Sequence, residues 1–137
     1  MGEALILETT FLVDLERELH QNKGGQERAA QKFLERHERD RLYITPTIAG
    51  ELAAGASLSK RKEWEAFVRP FSILATNEEV AWQYGQLYRY LSDNGMLIGS
   101  NDLWIAASGL AYGMPVVTRN QRHYRRVPGL SVAEYGQ

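Results

Sequence analysis

The sequence contains no cysteine, which excludes disulfides, cysteine-ligated zinc and thiol nucleophiles. This composition fits a reducing compartment, and we expect a cytoplasmic protein. The only uninterrupted apolar run near the N-terminus, Ala4 to Leu7, is too short for a signal-peptide core or a membrane span, so no membrane association is expected. Sixteen basic and 17 acidic residues give a formal net charge of -1. Any site for a polyanion must therefore be local.

Several common functional motifs are also missing. The patterns GxxxxGK[ST], GxGxxG, GxSxG and HExxH do not occur. Their absence argues against a phosphate-binding loop, a dinucleotide-binding fold, a serine hydrolase elbow and a zinc protease.

What is present is an alternation of short apolar strands with amphipathic helices. A chain of 137 residues is long enough for one domain with its own core, and we assign residues 1–137 to a single domain. The predicted strands are Ala4–Leu7, Leu42–Ile44, Val116–Thr118 and Ser131–Ala133, and Phe71–Leu74 is either a further short strand or a connector. This order predicts a three-layer α/β domain in which helices flank a short-stranded, mainly parallel sheet.

The helix boundaries follow from capping residues. Thr45 and Pro46 should begin one helix, and Thr76 with Glu79 has capping-box spacing for a helix over Val80 to Leu91. We also expect a charged helix over Gln26–Asp40 after a break at Asn22–Gly25, a buried helix over Leu103–Tyr112 capped by Ser100 and Asn101, and a polar loop after Thr118.

Three carboxylates occupy comparable places. Glu8 follows the first strand, Glu51 borders the apolar face of the helix after the second strand, and Asp102 lies in the first turn of the buried helix. Carboxylates that converge usually share a proton or bind a hard divalent cation. Each acid could instead be an ordinary surface or first-turn residue.

The segment after Thr118 is basic. Four arginines and His123 fall within eight residues that contain no acid: Arg119, Arg122, Arg125 and Arg126. Such a patch attracts a phosphate backbone, although it could equally be a solvated loop.

Four segments carry a family resemblance. LILETTFLVDL, ITPTIAGEL, NDLWIAASGLAYGMPVVTRN and HYRRVPGL resemble, in order and spacing, the motifs of PIN-domain proteins, in particular the VapC toxins of bacterial VapBC modules. The resemblance implies an endoribonuclease that depends on Mg2+ or Mn2+, a homodimer, an RNA substrate and inhibition by a VapB-like antitoxin.

Matched by position, the resemblance implies that Glu8, Glu51 and Asp102 hold the metal. The first acid of the family is normally Asp, so Glu8 is a departure, and its longer arm is expected to displace or weaken the metal. Many members have a fourth acid where this chain has Asn120 and His123. We therefore expect one metal, with Asn120 and His123 completing the catalytic group.

The remaining site residues are expected to contact the substrate: Thr9, Thr118, Arg119, Arg122 and Arg125. The departures at Glu8 and Asn120 leave open a rival interpretation, a catalytically weak or inactive PIN domain that binds RNA or an antitoxin. A receiver-like phosphoacceptor domain fits less well, because the paired acids after the first strand and the late-strand lysine are missing.

Overall fold

The computed structural model describes residues 2–21 and 28–135, which form a parallel sheet flanked by helices. The strands are β1 (Ala4–Leu7), β2 (Arg41–Ile44), β3 (Ser72–Ile73), β4 (Val116–Val117) and β5 (Val132–Ala133). Their order across the sheet is β3-β2-β1-β4-β5, and every neighbouring pair is parallel. The predicted three-layer α/β architecture is confirmed.

β1 is the central strand of the sheet, and both of its faces are covered. Leu5, Ile6 and Leu7 are almost completely buried, as expected for a central strand of a parallel sheet. In register, Ile6 pairs with Tyr43 on one side and with Val116 on the other. The predicted strands all occur, although β3, β4 and β5 have only two residues each.

Seven α-helices are found in the described residues: α1 (Thr9–Gln21), α2 (Ala29–Arg36), α3 (Pro46–Ala54), α4 (Arg61–Val68), α5 (Glu78–Asp93), α6 (Ser100–Tyr112) and α7 (Gln121–Tyr124). A 3-10 turn, Ala56–Leu58, precedes α4. α5 packs along α6, and α1 packs against α2 and α3. No helix in the described part of the chain is long and apolar enough to cross a membrane.

Two predicted helix boundaries are correct. Thr45 caps α3 by accepting a hydrogen bond from the amide of Ile48, and Pro46 is its first residue. Gly113 ends α6 in the left-handed conformation, with φ of 66°, which glycine adopts without steric cost.

Other boundaries differ from the prediction. Asn77 rather than Thr76 caps α5, because its extended backbone lets its side-chain oxygen accept from the amide of Val80 at 3.0 Å. Gly99 occupies the N-cap position of α6, so neither Ser100 nor Asn101 caps that helix. The polar loop expected after Thr118 contains the short helix α7.

The charged helix is shorter than predicted. α2 ends at Arg36, after which His37 and Asp40 close a turn through an Nδ1–Oδ2 contact of 2.6 Å. The predicted break at Asn22–Gly25 and the first residues of the predicted helix lie outside the described residues.

The parallel arrangement places the ends of β1, β2 and β4 at one edge of the sheet. The segments that follow these strands lead into α1, α3 and α7. In open parallel sheets this carboxyl edge is the usual place for a functional site.

Candidate active site

Glu8 lies where β1 ends and α1 begins. Its amide donates to the carbonyl of Val117 at 3.0 Å, and its own carbonyl accepts from the amide of Leu12 at 3.2 Å. The backbone of Glu8 therefore belongs to both the sheet and the first helical turn. Only 3% of the residue is exposed, which is unusual for a glutamate and requires hydrogen-bond partners.

Those partners converge on one carboxylate oxygen of Glu8. Oε1 accepts hydrogen bonds from the Thr10 amide at 3.1 Å, the Thr10 hydroxyl at 2.6 Å and the Thr118 hydroxyl at 2.6 Å. Within residues 2–21 and 28–135, Oε2 accepts no hydrogen bond, yet no fully buried side-chain oxygen there lacks a partner. Oε2 is therefore not sealed from solvent, so one oxygen of Glu8 is held by donors and the other is not.

Burial has the largest effect on the pKa of Glu8. Desolvation raises the pKa of the carboxyl above its ordinary value, the bonds from Thr10 and Thr118 partly oppose this, and the negative charge of Asp102 adds to the increase. Polar contacts through Thr118, Asn120 and His123 connect the two acids.

Glu51, on α3, is linked to the segments that carry the other two acids. Its Oε1 accepts a short hydrogen bond from the hydroxyl of Thr9, and its Oε2 accepts from Asn101 Nδ2 at 3.0 Å. Thr9 follows Glu8 in the chain and Asn101 precedes Asp102. Glu51 is half-buried, as its position beside the apolar face of the helix predicted.

Asp102 lies in the first turn of α6, and both of its oxygens contact α7. His123 Nδ1 is 3.0 Å from Oδ2, and the Tyr124 hydroxyl donates to Oδ1 at 3.2 Å. Tyr124 is completely buried. Burial first, and then the negative charges of Glu8, Asp102 and Glu51, raise its pKa well above the ordinary range, so its hydroxyl remains a donor.

Asn120 and His123 are the residues expected to stand in for the family's fourth acid. Asn120 Nδ2 lies 2.9 Å from His123 Nδ1, the same nitrogen that faces Asp102. A protonated Nδ1 donates to Asp102, whereas an unprotonated Nδ1 accepts from Asn120. Both residues are half-buried beside Asp102, so the structure brings these predicted residues together.

The predicted substrate-contacting residues differ in their exposure and in their hydrogen-bond partners. Thr9 bonds to Glu51, whereas Thr118 is completely buried and bonds to Glu8. Arg119 pairs with Asp14 at 3.3 Å. Arg125 donates to Gln121 at 3.1 Å, and Arg122 is exposed on α7.

The acids do not form a ready-made cation site. Among the described residues, no group of three or more acidic or histidine side chains is close enough to hold a metal ion. Both oxygens of Glu51 and of Asp102 also contact other side chains. The donor chemistry nevertheless fits a hard divalent cation, because the ligands are carboxylates and Oε2 of Glu8 is open.

A model of the PIN domain family matches residues 5–130. The chain belongs to the PIN-domain family. It is 32% identical over 94 residues to the ribonuclease VapC2 of Rickettsia felis, a match that covers 65% of this chain and 70% of that one. It is 28% identical over 136 residues to a ribonuclease VapC of Rickettsia bellii, with 93% of both chains covered.

The fold agrees with this membership. The crystal structure of VapBC2 from Rickettsia felis, bound to a DNA fragment from its promoter, superposes with a TM-score of 0.80. The sequence identity in that comparison is 24%, and 97% of this chain and 99% of that chain are covered. At this identity the likeness concerns the PIN fold alone.

Some site residues were missed by the sequence interpretation. Tyr124 is a direct partner of Asp102, and Asn101 bonds to Glu51 instead of capping α6. No local pattern could have revealed these contacts, because the partners lie 22 and 50 positions away in the chain. Thr118, which is expected to touch substrate, is completely buried, and its hydroxyl donates to Glu8.

Proposed function

We propose that this PIN-domain protein is a divalent-metal-dependent endoribonuclease and the toxin of a VapBC-type toxin-antitoxin module. The observation that carries the proposal is the approach of Glu8, Glu51 and Asp102 from three separate segments to one edge of a PIN fold. Its kinship with VapC ribonucleases supports RNA as the substrate class.

Glu8, Glu51 and Asp102 would hold Mg2+ or Mn2+. A bound cation of this kind polarises a phosphoryl oxygen and acidifies a water, which is the chemistry that phosphodiester hydrolysis requires. Glu8 would contribute Oε2, since Oε1 is occupied by threonine donors. Glu51 and Asp102 would each give up one of their present side-chain contacts in order to bind the cation.

Residues next to the acids would orient the substrate. Asn120 and His123 supply an amide and an imidazole beside Asp102, able to hold a phosphate oxygen or a water. Arg119, Arg122 and Arg125 lie in or next to α7 in the chain, close in sequence to both residues. Guanidinium groups recognise phosphate through paired hydrogen bonds.

The partner would be a VapB-like antitoxin, and the active protein would be a homodimer. The superposition on a chain of a VapBC complex supports the choice of partner. A partner that places an arginine among the acids would inhibit the enzyme, because converging carboxylates attract guanidinium as well as a metal.

A second candidate is a non-catalytic PIN domain that binds RNA or the antitoxin. It is favoured by the hydrogen bonds that occupy Glu51 and Asp102 and by the lack of a preformed metal group in the described residues. In that case Glu51 and Asp102 would hold the fold together without ever exchanging these contacts.

Cleavage of fluorescent single-stranded RNA, measured while Mn2+ is titrated after treatment with chelator, separates the two candidates. We expect Mn2+-dependent cleavage by the parent protein and a loss of at least 100-fold in Asp102→Asn. Glu79→Gln, a change of an exposed acid on α5, is the matched control and should cleave normally. Cleavage that is absent from the parent at every Mn2+ concentration, with RNA still bound, would favour the non-catalytic domain.

A further inference from the structure

The two threonine hydroxyls beside Glu8 have fixed hydrogen-bond directions. Thr10 Oγ1 accepts from the amide of Arg119 at 2.9 Å, and Thr118 Oγ1 accepts from the amide of Asn120 at 2.9 Å. An amide can only donate, and each hydroxyl has a single hydrogen. The two hydroxyls also lie 3.3 Å from each other, but each lies only 2.6 Å from Oε1 of Glu8. Because the carboxylate oxygen is the nearer and stronger acceptor, both hydroxyls direct their hydrogen to it.

This arrangement distinguishes the two oxygens of Glu8. Oε1 receives three donors and cannot carry a proton or approach a cation without breaking them, whereas Oε2 accepts no hydrogen bond in the described residues and is not sealed from solvent. The bonds also restrain the extra side-chain torsion that glutamate has over aspartate, which would otherwise have to be ordered when a ligand binds.

We propose that Thr10 and Thr118 are positioning residues that hold Oε1 of Glu8, so that Oε2 alone is presented to a divalent cation. The inference rests on the proposed function, because it assigns Glu8 to the cation. It gives Thr118, which is completely buried, a role in orienting Glu8. The groups that orient a metal ligand commonly affect metal affinity by about 10- to 100-fold.

The bonds also connect Glu8 to the loop after β4. The hydroxyl of Thr118 joins Glu8 to the amide of Asn120, and Asn120 in turn contacts His123. A change in Thr118 should therefore disturb the first acid and the segment that replaces the fourth acid together.

The test compares Thr118→Val with Thr118→Ser in the full-length protein. Valine keeps nearly the same shape and removes the hydroxyl, whereas serine keeps the hydroxyl and removes a methyl group. We expect Thr118→Val to weaken Mn2+ binding, measured by calorimetry without RNA, by about 10-fold, and Thr118→Ser to stay within about threefold of the parent.

Ser108→Ala is the control for loss of a buried hydroxyl. Ser108 is 2% exposed, and its hydroxyl donates to the carbonyl of Trp104 within α6. This variant should bind Mn2+ like the parent, and thermal melting checks that all variants are folded. If Thr118→Val does not fold, Thr10→Val and Thr10→Ser give the same comparison at a half-buried position.

Equal Mn2+ affinity in the parent and the valine variant would overturn the proposal, as would a serine variant as weak as valine. A parent that binds no Mn2+ would overturn it as well. A parent that binds Mn2+ but cleaves no RNA would contradict the proposed ribonuclease activity alone, and the valine-to-serine difference in affinity would still decide the role of the threonines.

Discussion

Asn101 Nδ2 donates to Glu51 Oε2 at 3.0 Å and so joins the start of α6 to α3. This bond takes the place of the capping interaction that the sequence predicts for Asn101, and it changes what a substitution there should do. Loss of an N-cap side chain typically costs about 1 kcal/mol of stability. Loss of an exposed contact that only orients Glu51 should cost much less.

We therefore expect Asn101→Ala to change the free energy of unfolding by less than about 0.5 kcal/mol. Mn2+-dependent cleavage should nevertheless fall by about 10-fold, because Glu51 loses one of its two orienting partners. Urea denaturation and cleavage kinetics provide the two measurements. Ser100→Ala is the matched control, since Ser100 is an exposed neighbour that does not cap α6. A large loss of stability with unchanged cleavage would mean that Asn101 acts as a cap.

Glu8→Gln should separate the charge of Glu8 from its shape. The glutamine carbonyl can still accept the bonds from Thr10 and Thr118, while the open oxygen is replaced by an uncharged amide group. We expect Mn2+-dependent cleavage to fall by at least 100-fold while the metal-free protein stays folded. A variant that cleaves normally would remove Glu8 from the metal site.

The same variant should alter how stability depends on pH. Burial raises the pKa of Glu8 in the folded state above its ordinary value near 4.5, so the folded protein binds the proton more tightly than the unfolded chain. The cost of the buried charge is absent below pH about 4.5 and grows as the pH rises through the folded-state pKa. In chelator, Glu8→Gln should be more stable than the parent at neutral pH, and the difference should shrink towards pH 4. A difference in melting temperature that is constant with pH would contradict this.

Arg122 is exposed on α7, whereas Arg119 is paired with Asp14. If Arg122 contacts a phosphate, Arg122→Ala should weaken RNA binding and reduce the slope of log affinity against log salt by about 0.7 for a single strand. Fluorescence anisotropy at several salt concentrations, with an inactive Asp102→Asn protein, measures the slope. Arg69→Ala is the matched control, because Arg69 is exposed and precedes β3 at the opposite edge of the sheet. An unchanged slope in Arg122→Ala would indicate that Arg122 belongs to a solvated surface.

Binding of a VapB-like antitoxin should depend on the carboxylates at the carboxyl edge of the sheet. The double variant Glu51→Gln and Asp102→Asn removes two charges that would attract an arginine, and we expect affinity to fall by at least 10-fold. Calorimetry with a VapB-like antitoxin provides the measurement. A double variant of exposed acids on α5, Glu79→Gln with Asp93→Asn, should bind normally. Equal affinity of all three proteins would place the antitoxin contact elsewhere.

The sequence alone determined the parallel α/β architecture and the placement of each acid within its element. Some features could be predicted because they depend only on neighbouring residues in the chain. These are the apolar strand Ala4–Leu7, the start of α3 at Thr45 and Pro46, and the left-handed end of α6 at Gly113. Tertiary structure alone decided which side chains each acid contacts. Thr118 meets Glu8 from 110 positions away and Tyr124 meets Asp102 from 22, because adjacent parallel strands and packed helices bring distant segments to one edge. A periodic pattern specifies which face is buried, but only the packed sheet specifies which atoms meet there.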